Sequence, residues 1–150
     1  MLIFGRKKKN IAVFIDGPNL LRKEFNLDLG KLKKQLEKFG RIMIAKVFIN
    51  QFAPEKLIEA ITNQGFEPIV VLAGTEEESD VDVALAVDAM EAIFNPDIDI
   101  IVIGSRDTDF IPVVRKAKER GKETIVVAAN SAFSSGLKNV ADKVILAPKK

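Results

Sequence analysis

The residues of this sequence that could do chemistry are four carboxylates, each placed where an apolar strand ends or a helix begins: Asp16, Asp82, Asp107 and Asp109. The 150-residue chain has no histidine and no cysteine, so a metal site in it must use oxygen ligands. Two carboxylates about 4 Å apart repel each other by roughly 4 kcal/mol at an effective dielectric constant near 20. Convergence of the four would therefore require a cation, and oxygen ligands favour Mg²⁺ or Mn²⁺.

An oxygen-bound divalent ion that shares its coordination sphere with a phosphate predicts metal-assisted attack of water on a phosphodiester bond. The distribution of charge fits such a substrate. Residues 1 to 50 carry 12 basic and 4 acidic side chains, residues 51 to 100 carry 1 and 12, and residues 101 to 150 carry 10 and 5. This segregation, behind a net charge of +2, permits a basic face beside an acidic pocket, as an enzyme that acts on a polyanion requires.

The composition is typical of one globular domain over residues 1 to 150, with 47% hydrophobic and 29% charged residues. The longest apolar runs are far shorter than the roughly 20 residues that span a bilayer, and no secretory signal is visible. The absence of cysteine fits a reducing compartment. We therefore expect a cytoplasmic protein without a membrane association, in which residues 1 to 8 form a flexible basic tail.

Short runs rich in Ile and Val alternate with helical patterns along the whole chain. The runs predict buried strands at residues 10 to 15, 41 to 49, 66 to 73, 98 to 104, 123 to 129 and 142 to 147. Strands that alternate with helices predict a three-layer α/β fold, in which a mostly parallel sheet of five to six strands has helices on both faces. We expect a strand order of about 3-2-1-4-5.

In such a sheet, ligands bind beyond the carboxyl ends of the strands, where the strand order reverses. Asp16 follows the first predicted strand, and Asp107 and Asp109 follow the fourth, so these carboxylates should share one crevice. Asp82 should enter it from the start of the helix before the fourth strand. Asp82 and Asp107 could instead be helix N-caps, since aspartate is common at that position.

Two further aspartates lie close in sequence to Asp82. Asp80 fits a capping role better than a catalytic one. Asp88 is six positions after Asp82, about 240° around an α-helix, so the two do not share a helix face. We assign Asp80 and Asp88 to the surroundings of the site, or to a purely structural role, rather than to the ligand set.

Three local sequences occur in an order and at positions that are specific when taken together: FIDGPNL at residues 14 to 20, VDVALAVD at residues 81 to 88, and GSRDTDFIP at residues 104 to 112. Together they resemble the NYN domain family, which includes LabA-like and limkain-type proteins and is a branch of the PIN-like nuclease group. The resemblance runs from Asn10 to Ala147. It implies a PIN-like fold and a Mg²⁺- or Mn²⁺-dependent ribonuclease activity.

The resemblance also implies roles for individual residues. Asp16, Asp82, Asp107 and Asp109 correspond to the family's acidic metal ligands, and Asn19 to the asparagine that orients a metal-bound water or the substrate. This chain has Ser79 and Asp80 where many relatives carry a Lys-Gly pair, which removes a positive charge beside the site.

Several residues are expected to contact a substrate phosphate. Ser105 matches the family's serine, Thr108 lies in the same motif, and Arg106 stands where glycine is usual. Arg106 should lie on the rim of the crevice, where a guanidinium can hold a phosphate through two hydrogen bonds. A basic arm precedes the first strand and consists of Lys7, Lys8 and Lys9. We expect this arm to add nonspecific affinity for nucleic acid.

The expected partner is single-stranded or structured RNA, and the family resemblance also allows a homodimer. Since the chain has no tryptophan and no tyrosine, bases could stack only on arginine or phenylalanine. The phenylalanines expected in or near loops are Phe25, Phe52 and Phe133.

Two other functions fit the sequence less well. The first is an RNA- or protein-binding regulatory module of the same fold with little or no catalysis, which the Ser79-Asp80 departure favours. The second is a small-molecule phosphohydrolase with Asp16 as its nucleophile. Phosphatases of the haloacid dehalogenase type carry a second aspartate two residues after the nucleophile, and here Pro18 occupies that place.

Overall fold

The computed structural model describes residues 8–76, 80–129 and 135–150, apart from the side chain of Glu24. Within these residues the chain forms a parallel sheet of six strands in the order 3-2-1-4-5-6. The strands are β1 (Asn10–Asp16), β2 (Arg41–Asn50), β3 (Glu67–Val71), β4 (Ile100–Gly104), β5 (Glu123–Ala128) and β6 (Lys143–Leu146). The predicted fold class and strand order are confirmed, and β6 extends the sheet beyond β5.

Helices follow the strands, as a parallel sheet requires. They are α1 (Gly17–Leu20), α2 (Leu29–Leu36), α3 (Glu55–Asn63), α4 (Asp82–Ile93), α5 (Ile111–Glu119) and α6 (Ser135–Val140), with short 3₁₀ helices at Lys23–Phe25 and Thr108–Phe110. Local chemistry sets their ends: the carboxylate of Asp28 accepts the Lys31 N–H at the start of α2 (3.0 Å), and Gly121 provides a positive φ of 79° after α5.

The core has two parts, one on each face of the sheet. On β1, Ile11, Val13 and Ile15 face one part, whereas Ala12 and Phe14 face the other, as the two-residue period of a strand dictates. The first part includes side chains from α2 and α3, and the second includes side chains from α4, α5 and α6. Every residue of β4 is buried, as expected for a central strand that is covered on both faces.

The register of the central strands determines which side chains meet at the carboxyl edge of the sheet. β1 pairs with β4 so that Ile15 lies opposite Gly104. The next residues along these strands, Asp16 and Ser105, are therefore neighbours at the same edge. This is the edge at which the sequence predicts a ligand site.

Some sequence expectations fall outside what the structure describes. These include Lys7 and most of the expected basic tail, as well as Ser79 and Phe133. None of the helices among the described residues is both long enough and apolar enough to cross a membrane.

Candidate metal centre

Asp16 is the most buried of the predicted site carboxylates, with 4% of the residue exposed. It ends β1 and caps the four-residue helix α1: its Oδ1 accepts the backbone N–H of Asn19 at 3.2 Å. The turn into α1 is tight. A Cβ atom at Gly17 would lie 2.5 Å from the carbonyl oxygen of Phe48, so the Asp-Gly step brings the chain against β2 in a way that larger residues do not allow.

Ser105 links the end of β1 to the end of β4. Its fully buried hydroxyl donates to Oδ2 of Asp16 at 3.1 Å and accepts the backbone N–H of Asp107 at 3.1 Å. Both hydrogen bonds of this hydroxyl lie inside the protein. Ser105 therefore positions the two aspartates, and its predicted contact with substrate remains a prediction.

Asp82 reaches the same edge from the first residue of α4. Its backbone N–H donates to Oδ1 of Asp80 at 2.7 Å, so Asp80 turns the chain into the helix, as expected of a capping residue. Asp82 is half-buried, and the side chain of Asp80 is exposed.

The carboxylates of Asp16, Asp82 and Asp107 converge. Each offers an oxygen atom, and these three atoms lie within 4.8 Å of one another. The three residues come from distant parts of the chain: the end of β1, the start of α4 and the loop after β4. An all-oxygen donor set of this kind matches the ligand preference of a hard divalent cation such as Mg²⁺ or Mn²⁺.

The pKa values of Asp16 and Asp82 are raised above the ordinary value for aspartate. Burial raises the pKa of Asp16 to about 6, and the nearby Asp107 and Asp80 add to the rise, against the hydrogen bonds from Asn19 and Ser105. The pKa of Asp82 rises to about 8, through burial and through the adjacent Asp80 and Asp107. Both shifts have the sign expected for like charges that share a partly desolvated site.

Asp109 is not a member of the converging group. The Asp107 carboxylate caps the 3₁₀ helix Thr108–Phe110 and accepts the backbone N–H of Asp109 at 2.9 Å. The side chains of Thr108 and Asp109 are exposed at this turn. The structure thus supports three of the four predicted ligands, and the predicted roles of Asp109 and Thr108 remain predictions.

Arg106 and Asn19 connect the two sides of the crevice. The backbone N–H of Arg106 donates to the side-chain oxygen of Asn19 at 3.2 Å. The guanidinium of Arg106 lies 6.0 Å from the centre of the Phe25 ring, at the outer limit of a cation–π contact. Arg106 is half-buried beside Asp107, on the rim where the sequence places it.

Lys8 and Lys9, which were predicted to contact nucleic acid, lie away from the converging carboxylates. Lys9 precedes β1 at the amino edge of the sheet, where its Nζ contacts Glu123 at 3.1 Å. The seven residues of β1 separate it from the carboxyl edge by roughly 20 Å. Lys9 therefore cannot contact a phosphate held at Asp16. Lys8 is exposed next to it.

Asp88 is paired with Lys46 of β2 at 3.1 Å, with both side chains partly exposed. It lies on α4 about one and two-thirds turns beyond Asp82, and it is not in the converging group. Its ion pair joins α4 to the sheet. The structural alternative given for Asp88 from the sequence agrees with this position.

Comparison with known proteins agrees with this geometry. A family model described as NYN domain matches residues 10–147. The uncharacterized protein MJ0482 of Methanocaldococcus jannaschii is 54% identical over 144 residues, covering 94% of this chain and 58% of that protein. The chain therefore spans less than two thirds of this relative's length.

A solved structure shares the fold. The crystal structure of VPA0982 from Vibrio parahaemolyticus, a protein of unknown function, matches with a TM-score of 0.83 at 22% identity and covers 96% of each chain. At this level of identity the similarity establishes the fold. The family match confirms the resemblance predicted from the three motifs.

Proposed function

Because the chain belongs to the NYN domain family, we propose that it is a metal-dependent ribonuclease that hydrolyses RNA phosphodiester bonds at the three converging carboxylates. The observation that carries the proposal is the approach of oxygen atoms from Asp16, Asp82 and Asp107 to within 4.8 Å. Like charges at this distance favour a cation between them, and the donor set favours Mg²⁺ or Mn²⁺.

The three carboxylates differ in how they would hold the ion. Asp16 is buried and fixed by two hydrogen bonds, so it supplies a rigid ligand, whereas Asp82 and Asp107 are half-buried and face the accessible side of the crevice. A divalent ion bound there supplies Lewis acidity toward the phosphoryl oxygen and toward water. No protein nucleophile is required, so the expected products carry 5′-phosphate and 3′-hydroxyl ends.

Residues around the carboxylates would orient the RNA. The side-chain oxygen of Asn19 accepts from the Arg106 backbone, which leaves the amide NH₂ of Asn19 as a donor to water or a phosphate oxygen. The Arg106 guanidinium, at the rim, offers several N–H donors to a phosphate. Arg106 thus replaces the positive charge that relatives carry two positions before Val81.

Incubation of purified protein with mixed RNA and single-stranded DNA tests the proposal. Wild type with Mn²⁺ or Mg²⁺ should cleave RNA, and both chelation and Asp16→Asn should abolish cleavage. Asp88→Asn is the matched control, because it makes the same change on an aspartate outside the converging group. Cleavage by purified protein that survives both chelation and Asp16→Asn would refute the assignment.

A second candidate is an RNA- or protein-binding regulatory module with weak or no catalysis. The observation in its favour is the negative charge of Asp80 beside Asp82, where many relatives have glycine. RNA binding in EDTA, together with no turnover at any metal concentration, would favour this module over the enzyme. The cytoplasmic location and the homodimer remain predictions.

A further inference from the structure

A second concavity is lined by residues that directly follow α1 in the chain. It is a cavity of about 240 Å³, and its lining includes three cationic side chains, Arg22, Lys23 and Lys150. None of the described residues that line it is acidic. A concave surface with cationic and without acidic side chains attracts anions.

Tertiary contacts build this cavity from two distant segments. Leu27 forms an antiparallel bridge with Lys149, and the backbone N–H of Lys150 donates to the carbonyl of Asn26 at 3.0 Å. Asn26 adopts the left-handed conformation with a φ of 47°, which asparagine tolerates better than most residues. The last described residues are thereby held against the loop before α2, and Lys150 is placed in the cavity with Lys23.

The cavity and the carboxylates are joined by a short segment of the chain. Asp16 caps α1, whose four residues span about 6 Å, and Arg22 follows two residues after the helix ends. Phe25 belongs to the same 3₁₀ helix as Lys23, and its ring lies beneath the guanidinium of Arg106. Arg106, the neighbour of Asp107 in the chain, is thus in contact with the 3₁₀ helix that carries Lys23.

We propose that this cavity binds a backbone phosphate of single-stranded RNA, one that flanks the phosphodiester held at the carboxylates. The proposal rests on the proposed function and specifies the path of its substrate. Phosphates outside the metal centre need cations of the protein itself, and Lys23 and Lys150 provide them. Phe25, in the 3₁₀ helix of Lys23, and Arg106, next to Asp107, offer flat faces to unstacked bases, which a single strand presents and a duplex does not.

Oligonucleotide binding in EDTA tests the cavity without any requirement for catalysis. The affinity of a fluorescent single-stranded RNA is measured over a range of salt concentrations for wild type, Lys23→Ala and Lys38→Ala. Lys38 is the matched control, an exposed lysine just after α2, near the start of β2 at the amino edge of the sheet. Lys23→Ala should bind several-fold more weakly, and its log-affinity against log-salt slope should be smaller by about 0.7, as expected for one lost phosphate contact.

Equal affinities and slopes for Lys23→Ala and Lys38→Ala would overturn the proposal. So would duplex RNA that binds as tightly as the single strand. The third measurement is competition between inorganic phosphate and the bound RNA at constant ionic strength. Displacement of the RNA by phosphate at concentrations comparable to that of the oligonucleotide would overturn the proposal, because it would show a site for the free anion instead.

Cleavage assays separate this proposal from the proposed function. With a long single-stranded substrate Lys23→Ala should raise KM and leave kcat near wild type, whereas with a dinucleotide, which carries only the bond to be cut, both constants should be unchanged. If no RNA is cleaved, the proposed function fails while the binding experiment still decides the cavity. If cleavage is normal and KM for the long substrate does not respond to Lys23→Ala, only the cavity proposal fails.

Discussion

Two buried hydroxyl groups at opposite edges of the sheet make the same contacts in opposite electrostatic surroundings. At the carboxyl edge, Ser105 accepts the N–H of Asp107 and donates to the carboxylate of Asp16. At the amino edge, Thr124 accepts the N–H of Asp142 at 3.0 Å and donates to the carboxylate of the same residue at 3.1 Å. Both hydroxyls hold an aspartate in a fixed position.

The charges around the two motifs differ. Burial would raise the pKa of Asp142, but hydrogen bonds from Thr124 and the nearby Lys118 outweigh it, so its pKa is lower than usual. Glu123 follows the same rule, because Lys9 and Lys143 lower its pKa against the effect of burial. Asp142 and Glu123, at the amino edge, thus have cations of the protein as partners.

The carboxyl edge has like charges where the amino edge has lysines. The pKa of Asp16 rises to about 6 and that of Asp82 to about 8, because burial is reinforced by neighbouring carboxylates. The negative charges of Asp142 and Glu123 are therefore balanced by side chains of the protein itself. The negative charges of Asp16 and Asp82 are balanced only by bound protons or by an added cation, which is the physical basis for placing a metal there.

The largest expected difference between the edges concerns catalysis. Asp107→Asn should reduce metal-dependent RNA cleavage by at least about a hundredfold, equivalent to roughly 3 kcal/mol of transition-state stabilisation. Asp142→Asn makes the same change at the amino edge and should leave cleavage within about twofold once its lower stability is allowed for. Initial rates on a labelled RNA measure both, and equal losses would show that the edges do not differ in function.

Removal of the Ser105 or the Thr124 hydroxyl tests the feature that the two edges share. Ser105→Ala and Thr124→Val should each lower the free energy of unfolding by about 2 kcal/mol, because buried partners lose a hydrogen bond. Only Ser105→Ala should also weaken metal binding, by about 10- to 100-fold, since only that hydroxyl orients a ligand. Urea denaturation and Mn²⁺ titration separate the two effects, and an unchanged Mn²⁺ affinity in Ser105→Ala would count against its positioning role.

The edges should respond in opposite ways to loss of a carboxylate charge. In the metal-free protein, Asp82 keeps a proton up to a pH of about 8, whereas in the unfolded chain it loses the proton near its ordinary value of 3.8. The folded state binds more protons in this window, so stability falls as pH rises through it. At pH values near 8, Asp82→Asn should therefore stabilise the metal-free protein by about 1 kcal/mol, after allowance for solvent screening.

Asp142→Asn should instead destabilise the protein at the same pH, by about 1 kcal/mol or less after allowance for solvent screening. The folded pKa of Asp142 is lowered, so its contribution is present above its ordinary pKa and is lost as pH falls through the folded value. Thermal denaturation with chelator at several pH values checks both signs. Destabilisation by Asp82→Asn as well would mean that its charge is compensated within the protein.

The smallest expected effect is at the exposed end of the amino edge. Lys9→Ala removes one surface ion pair with Glu123, which Lys143 also contacts, so the cost should be about 0.5 kcal/mol or less. Cleavage of a short RNA should be unchanged, because Lys9 lies at the opposite edge from the carboxylates. A loss of short-substrate cleavage in Lys9→Ala would contradict this placement.

The fold could be predicted from the sequence because its strands are continuous Ile- and Val-rich runs. β4 is buried on both faces and reads as an unbroken apolar run, and the acidic residues that follow β1 and β4 mark the ends of those strands. Helix α1 was not predicted, since four residues are too few to show a helical period. The cap at Asp16 that depends on it could not be seen either.

The limits of the site prediction have a local cause. The Asp-Thr-Asp spacing suggests that Asp107 and Asp109 act together, as they would in a loop that continues the strand. The chain instead enters a 3₁₀ helix at Thr108, and a helix with three residues per turn directs these two side chains differently. Ser105 was expected to contact substrate because it matches the family's serine, and the burial that the strand register imposes on it between two aspartates could not be seen from that match.

Calorimetric titration of Mn²⁺ into the metal-free protein tests the central claim most directly. At a pH near 8, wild type should bind the ion with release of protons from the carboxylates, and Asp16→Asn should lose this binding, whereas Asp142→Asn should retain it. Absence of binding to wild type at millimolar Mn²⁺, or equal binding by wild type and Asp16→Asn, would show that the three converging carboxylates are not a metal centre.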